Sequence, residues 1–450
     1  MEIPVQTGKE ETMKAFTRIC ILAGLMALPF LLNPDVTRAQ NFNDRGCAWP
    51  IELSPQGAAN VQGPDTFARY WAMPFDTQYE TMTIKGTYPN ARYFSIAAYN
   101  TLYNSLNNTN DFDLADHLYD AQIAPDPSSI NPFVPPGGRN GTYTVVISRT
   151  GPSSGNTIAV SPHVVVWVVL RMYAADADPS LTGQSLMGGV PLPTLTVTDQ
   201  SGASRQLEAC SPVNKWLDQS AFAQLLFPPA VDLIVNEGTP SCDRLWFASP
   251  KKLPGILWPN PEGKYIMMLP GDKYQPGRII VIHGKAPGFP DTFDGSPIWV
   301  PSKGSRSVDL RYWSVCHNIL AAPMSTINCL TDLTTDLQGG YYSIVISDDL
   351  VRPKWLQPNI NWLPWGDEQY PQLVSFRNIL PAPNFPYAAQ KAWADPDCTF
   401  DFTFPNFPDR TTIDDKGPYC QQVMGDYYPV AVWCDKSTFK AGGFRACLKK

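Results

Sequence analysis

Histidine is scarce, charge is thin, and no zinc-type cysteine pair occurs. The chain has four His in 450 residues. They are His117, His163, His283 and His317, and no two lie at zinc-ligand spacing. No Cys-x-x-Cys is present, so the cysteines do not read as a metal set, and neither a metal nor a cofactor is expected. Charged residues are only 17% of the chain and the net charge is −7. No long basic run appears, which argues against nucleic acid as a partner, because phosphate binding needs clustered Lys and Arg. A Gly-rich phosphate loop, a His-Glu-x-x-His pair and a dinucleotide fingerprint are also missing.

Proline, by contrast, is plentiful at 45 residues, and 44% of the chain is hydrophobic. Low charge with high proline suits strands and fixed loops in an exported protein. Lys14 and Arg18 precede an apolar run from Ile19 to Leu32, followed by Thr37-Arg38-Ala39. This pattern predicts a signal peptide over residues 1–39, with Met13 as the true start. The run is shorter than the ~18–20 residues that cross a bilayer. A secreted or periplasmic protein with no integral membrane segment after cleavage is therefore expected. Of the ten cysteines, Cys20 falls within that leader. The rest read as a disulfide framework with one thiol left over. Cys316 with Cys329 and Cys434 with Cys447 each close a short loop and are the expected pairs; the other pairings stay open.

The chain contains one pattern twice. Thr83-Ile84-Lys85-Gly86-Thr87-Tyr88-Pro89 and Arg92-Tyr93-Phe94-Ser95-Ile96 match Val281-Ile282-His283-Gly284-Lys285-Ala286-Pro287 and Arg311-Tyr312-Trp313-Ser314-Val315. Downstream, Asp120 and Asp126 match Asp332 and Asp336, Tyr143 to Ser148 matches Tyr342 to Ser347, and Val168 to Arg171 matches Val374 to Arg377. The blocks alternate with a period of two or are β-branched runs bounded by Gly, Pro, Asn and Ser, so they read as strands. Each Gly before its Pro reads as a turn.

The expected fold is all-β: tandem duplicated β-sandwich or jelly-roll modules, a short helical connector and a disulfide-rich C-terminal extension. The boundaries fall at 40–200 for the first module, 201–262 for the connector, 263–395 for the second module and 396–450 for the extension. Helical spacing marks Asn214 to Phe227 in the connector and Tyr387 to Trp393.

At these residues the chain resembles a bacterial group of exported proteins known only as a domain of unknown function. The resemblance rests on Arg311-Tyr312-Trp313-Ser314, Asp332, Asn361-Trp362-Leu363-Pro364, Arg377 and the Gly188-Gly189-Val190-Pro191-Leu192-Pro193 run. It implies a jelly-roll-like β fold and brings no reaction. The first copy lacks the Asn-Trp-Leu-Pro segment.

The catalytic patterns fail on context. Gly151-Pro152-Ser153-Ser154-Gly155 has the nucleophile-elbow spacing, but a strand and not a helix follows it, so it reads as a hairpin loop. Asn110, Asp111, Asp113, Asp116 and Asp120 read as a solvated acidic loop, since they lack the spacing of a calcium loop. Cys316 and His317 are adjacent on a strand and point to opposite faces, so they cannot act as a nucleophile pair.

What is left is a duplicated polar set: Arg92 and Arg311, Arg171 and Arg377, Asp120 and Asp332. They read first as structural ion pairs. The functional alternative has them gripping a ligand at the module junction, with Trp362 and Trp365 as an aromatic wall. The expected function is a non-catalytic ligand-binding or surface-interaction protein, its partner an unidentified small molecule or glycan. The alternative is an extracellular glycan-directed hydrolase with paired carboxylates.

Overall fold

The structure is a computed structural model. It describes residues 46–448 apart from 57–58, 105–108, 176–186, 212–243, 251–257, 271–273, 275, 294, 303–306, 321–323, 371 and 401–418. The expected signal peptide, the expected helix at 214–227 and Cys242 lie outside the described residues.

The first half holds β1 (Cys47–Ala48), β2 (Ile51–Leu53), β3 (Ala68–Phe75), β4 (Tyr79–Thr87), β5 (Ala91–Asn104), β6 (Thr109–Tyr119), β7 (Thr142–Ser148), β8 (Thr157–Ala159), β9 (Val166–Ala175), β10 (Thr194–Asp199) and β11 (Ser204–Ala209). The second holds β12 (Arg244–Leu245), β13 (Ser249–Pro250), β14 (Gly263–Met268), β15 (Arg278–Lys285), β16 (Leu310–Ile319), β17 (Thr326–Thr331), β18 (Tyr341–Ser347), β19 (Asn361–Pro364), β20 (Gln372–Pro381), β21 (Thr399–Phe400) and β22 (Val430–Asp435). Helices α1 (Ala389–Ala394), α2 (Tyr419–Met424) and α3 (Lys436–Cys447) follow β20. The chain is all-β in class.

Each half is a sandwich. In the first, the sheet β2-β3-β9-β5-β6 packs on the sheet β1-β11-β10-β4-β7-β8. Trp71, Phe94, Ile96 and Leu170 of one meet Met82, Ile84, Val145 and Ile147 of the other in one core. In the second, β14-β20-β16-β17 packs on β12-β22-β15-β18-β19. There Trp313, Val315 and Phe376 meet Ile280, Ile282, Ile344 and Ile346. Full burial of each such side chain contributes about 1.5–3 kcal/mol.

The two halves share strand order and sense. Strands β3-β9-β5-β6 and β14-β20-β16-β17 are antiparallel throughout. Strands β10-β4-β7 and β22-β15-β18 are antiparallel too, and β8 and β19 lie parallel to β7 and β18.

The second faces of β3-β9-β5 and of β20-β16 meet each other, through Ala68, Tyr93 and Tyr173 on one side and Tyr312 and Ile379 on the other. These inner strands are thus buried on both faces, which is why β9, β16 and β20 are buried along nearly their whole length. This contact is called the seam below.

Several expectations change. The boundaries at 200 and 395 each cut a sheet short. Strand β11 pairs with β10, and β22 pairs with β15 in the place that β10 takes beside β4. The C-terminal segment is therefore part of the second sandwich, and α3 covers its outer sheet through Phe439 and Cys447. Gly86 and Gly284 are not turns; they lie inside β4 and β15, opposite Tyr143 and Tyr342. A Cβ at either would stand 2.6 Å from the facing tyrosine hydroxyl, so the phenol crossing the strand explains both glycines. The loop over 149–156 is no hairpin, because β7 and β8 run parallel. Asn110 to Asp116 of the acidic stretch lie in strand β6 and not in a loop, and Asp120 just beyond it is buried.

The first half also has a counterpart to Asn-Trp-Leu-Pro. Asn361 donates to the carbonyls of Asp336 and Ser343 and accepts from the Asp336 amide. Asn156 donates to those of Ala124 and Thr144 and accepts from the Ala124 amide.

Disulfides join Cys47 to Cys210, Cys316 to Cys329, Cys398 to Cys420 and Cys434 to Cys447. Among the described residues no helix is long and apolar enough to cross a membrane.

Candidate functional site

The seam collects the matched polar residues of the two halves. Alternation along β5, β9, β16 and β20 sends Phe94, Leu170, Trp313 and Phe376 into the two cores, and Tyr93, Tyr173, Tyr312 and Ile379 into the seam. Arg171 lies on the same face, flanked across the sheet by Tyr70 and Ser95. Arg377 is flanked in the same way by Tyr265 and Ser314.

Four buried arginines meet here in two kinds of contact. Arg92 reaches across to Asp332 at 2.7 Å, and Arg311 reaches back to Asp120 at 2.8 Å. The Asp120 carboxylate accepts four hydrogen bonds, two from Arg311 and one each from the amides of Phe94 and Ala121. Asp332 takes one bond from Arg92, and the backbone amides of Trp313 and Leu333 also favour its charged form. Burial pushes the Asp332 carboxyl up to about 7, against the pull of Arg92. It raises Asp120 as well, opposed by Arg311. The phenyl ring of Phe289 lies 4.3 Å from the Arg92 guanidinium.

Arg377 is the third paired arginine. Its Nη1 donates to Asp65 at 2.6 Å and its Nη2 to the Gly63 carbonyl at 3.5 Å. Ser314 donates to the same Asp65 oxygen at 2.6 Å.

Arg171 is bonded differently. Its Nη2 donates to the Tyr99 hydroxyl at 2.8 Å and to the Trp258 carbonyl, and its Nη1 has no hydrogen-bond partner among the described groups. Trp258 carries a positive φ of 46°, rare for a bulky residue. This conformation turns its carbonyl to Arg171.

Next to Arg171, Tyr93 donates to Glu262 at 2.7 Å, and His117 meets the other oxygen of Glu262 at 2.6 Å. The His117 side chain is 27% exposed and that of Glu262 only 3%. The hydrogen bond to Glu262 holds the His117 imidazole above its ordinary value, although burial opposes it. A hydrogen-bonded chain thus runs from His117 through Glu262 to Tyr93, whose phenol interacts electrostatically with the buried Arg171. Sequence reasoning missed Asp65, His117, Asn260 and Glu262. The only signal, for Asp65 and Asn260, was a shared Pro, in Pro64-Asp65 and Pro259-Asn260, with Asp65 and Asn260 each five residues ahead of a strand tyrosine.

The aromatic wall is a correction. Trp365 is buried in the second core against Tyr274, His317 and Trp433, because β19 completes the outer sheet there. Trp362 packs beside Trp355 and Leu356 and donates to Ser347. Neither faces the seam.

Among the described residues the catalytic patterns are engaged in structural contacts. Strand β8 follows Ser153, and Ser153 Oγ accepts from the Ala159 amide. Cys316 is bonded to Cys329, and His317 is buried against the Pro364 carbonyl. Burial pushes His317 down to about 4. Asp65 lies close to Cys316 and Cys329, but a disulfide offers no thiolate for a metal. Asp367 caps its own turn at the Gln369 amide.

No protein-family model matches the chain, and no curated protein sequence matches it. Among solved structures it is similar to an uncharacterized protein from Burkholderia cenocepacia, 16% identical, over 74% of this chain and 79% of that one, with a TM-score of 0.48. It is also similar to the VPA0106 protein from Vibrio parahaemolyticus, 12% identical, over 69% of this chain and 83% of that one, with a TM-score of 0.35. Neither of these proteins carries a named activity.

Proposed function

We propose that the chain is an exported, non-catalytic binding protein built from a duplicated β-sandwich, and that it holds its ligand in the seam between the two inner sheets. Export is supported by four disulfides, which persist in oxidising compartments. Duplication is supported by the shared strand order and by matched irregularities. Ala174 and Leu380, each three residues beyond its arginine, both adopt φ of 45°. The resemblance to bacterial exported proteins of a domain of unknown function belongs to the same proposal.

One observation carries the binding reading. Arg171 is a fully buried cation whose Nη1 has no described protein partner, and Glu262 links its surroundings to the partly exposed His117. Leaving a buried charged donor unsatisfied costs more than an ordinary lost hydrogen bond, so a bound group there would be stabilising. The hydrolase alternative loses its carboxylates, because Asp120 and Asp332 are each closed against a guanidinium.

The test is a thermal-shift screen of the oxidised protein against sugars, lipids and aromatic acids. A ligand at a hundredfold excess over its dissociation constant adds about 2.7 kcal/mol. The reading expects a hit that an Arg171→Lys variant, still folded, loses. Turnover of a glycan by the parent, abolished in Asp120→Asn, would contradict it.

A further inference from the structure

Besides the Tyr99 contact of Arg171, the two arginine environments of the seam differ at one matched loop position, aspartate in one and asparagine in the other. Asp65 and Gly63 lie five and seven residues before Tyr70; Asn260 and Trp258 lie five and seven before Tyr265. The first pair serves Arg377 and the second lies at Arg171, so each loop caps the arginine of the other half. Gly63 and Trp258 give their carbonyls to the two guanidinium groups, and both have positive φ, 63° and 46°. Asp65 Oδ1 accepts from the amide of Phe67 at 2.9 Å, and Asn260 Oδ1 accepts from the amide of Glu262 at 3.2 Å.

These matching amides fix which way the Asn260 side chain points. Its Nδ2 takes the place that Asp65 Oδ2 takes in the other half. There Oδ2 accepts from Arg377 and from Ser314. Here Nδ2 is itself a donor, so it cannot accept from Arg171 or from Ser95, the equivalent of Ser314. Arg171 Nη1 and Asn260 Nδ2 lack a hydrogen-bond partner among the described groups, while Ser95 hydrogen-bonds with the Tyr93 phenol. Arg171 is 1% exposed and Asn260 is 5% exposed. Turning the amide over would set its NH2 against the Glu262 amide, donor to donor.

From this we infer that the seam is a binding site for a small monovalent anion, a halide or the carboxylate of a small organic acid, held against Arg171 Nη1 and Asn260 Nδ2, whereas in the other half the Asp65 carboxylate itself neutralises the arginine. This deepens the binding reading above and rests on it. The donor set suits a single negative charge: one guanidinium supplies the cation, and a neutral amide supplies a further hydrogen bond. A doubly charged sulfate or phosphate would leave a buried charge uncompensated.

The experiment follows urea unfolding of the full oxidised chain in a low-anion buffer, with chloride, formate and acetate as separate titrants and sulfate at matched ionic strength as control. At a hundredfold excess over its dissociation constant, a bound anion raises the folding equilibrium constant about a hundredfold. Formate or acetate above chloride identifies an organic acid; chloride above both identifies a halide. Asn260→Asp supplies the carboxylate internally and is expected to be more stable than the parent and unresponsive to every titrant. A response that survives Asn260→Asp unchanged places the anion elsewhere and overturns the inference. No response to any monovalent anion in the parent also overturns it, while a sugar or aromatic-acid shift lost in Arg171→Lys would leave the broader binding reading standing.

Discussion

Arg92 of the first half and Asp332 of the second meet at 2.7 Å, and Arg311 and Asp120 return the same contact in the opposite direction. The exchange explains how two sandwiches bury polar faces against each other: each half neutralises the charge that the other brings. The two pairs are not equal. Asp120 accepts two hydrogen bonds from Arg311, whereas Asp332 takes a single bond from Arg92. Removing one member of a well-bonded buried pair costs about 3–5 kcal/mol. Asp120→Asn is expected to fall in that range. Asp332→Asn should cost clearly less, because burial already drives that carboxyl toward its neutral form. Urea unfolding at neutral pH compares them; equal losses would refute the asymmetry.

His317 predicts a loss of stability in acid. Its folded value is pushed down to about 4 from an ordinary 6.5 by burial. A depressed base contributes stability that is complete above the ordinary value and disappears as the pH falls through the folded one. The contribution at stake is about 3 kcal/mol. Asp332 acts in the other direction, since its raised value loses stability as the pH climbs from 3.8 toward about 7. The His317 effect is therefore read as a difference. A His317→Gln variant should lose less stability than the parent between neutral pH and pH 4, by urea midpoints; parallel curves would count against it.

His117 predicts the opposite slope on the alkaline side. Its hydrogen bond to Glu262 raises it above 6.5. The stability it provides is complete below that value and is lost as the pH rises through the folded one. His117→Asn should flatten the parent's decline across that window, with folding otherwise preserved. Denaturation midpoints on either side of neutrality provide the check.

The Cys47–Cys210 bond closes a sequence separation of 163, against 13 for Cys434–Cys447. In the chain-entropy account the longer loop is worth about 2 kcal/mol more. Replacing both cysteines of the first pair with Ser should therefore lower the urea midpoint further than replacing those of the second. The reverse order would show that local packing under α3 outweighs loop closure.

Much of the fold was legible because the matched sequence blocks carry the strands themselves. The Arg-Tyr-aromatic-Ser runs became β5 and β16, and the arginine-bearing runs became β9 and β20. Periodicity shows which residues share a face, but not which sheet that face meets. The reciprocal pairing of Arg92 with Asp332 was therefore hidden, although all of its residue types were in view. The same holds for β22, whose pairing with β15 links positions far apart in the chain. Asp65 and Asn260 sit in loops whose neighbours share little beyond one proline, so only the coordinates place them as equivalents. Trp365 misled for a simple reason: a Pro-rich surrounding suggests a loop, and β19 is a strand that closes a core.

Asp65→Asn is the most direct test of the account, because it would give the second arginine the same donor set that the first has now. The account predicts a marked fall in urea midpoint, and a partial recovery with formate or chloride that sulfate at equal ionic strength does not give. A variant as stable as the parent, or one that no monovalent anion restores, would contradict the equivalence of the two arginine sites.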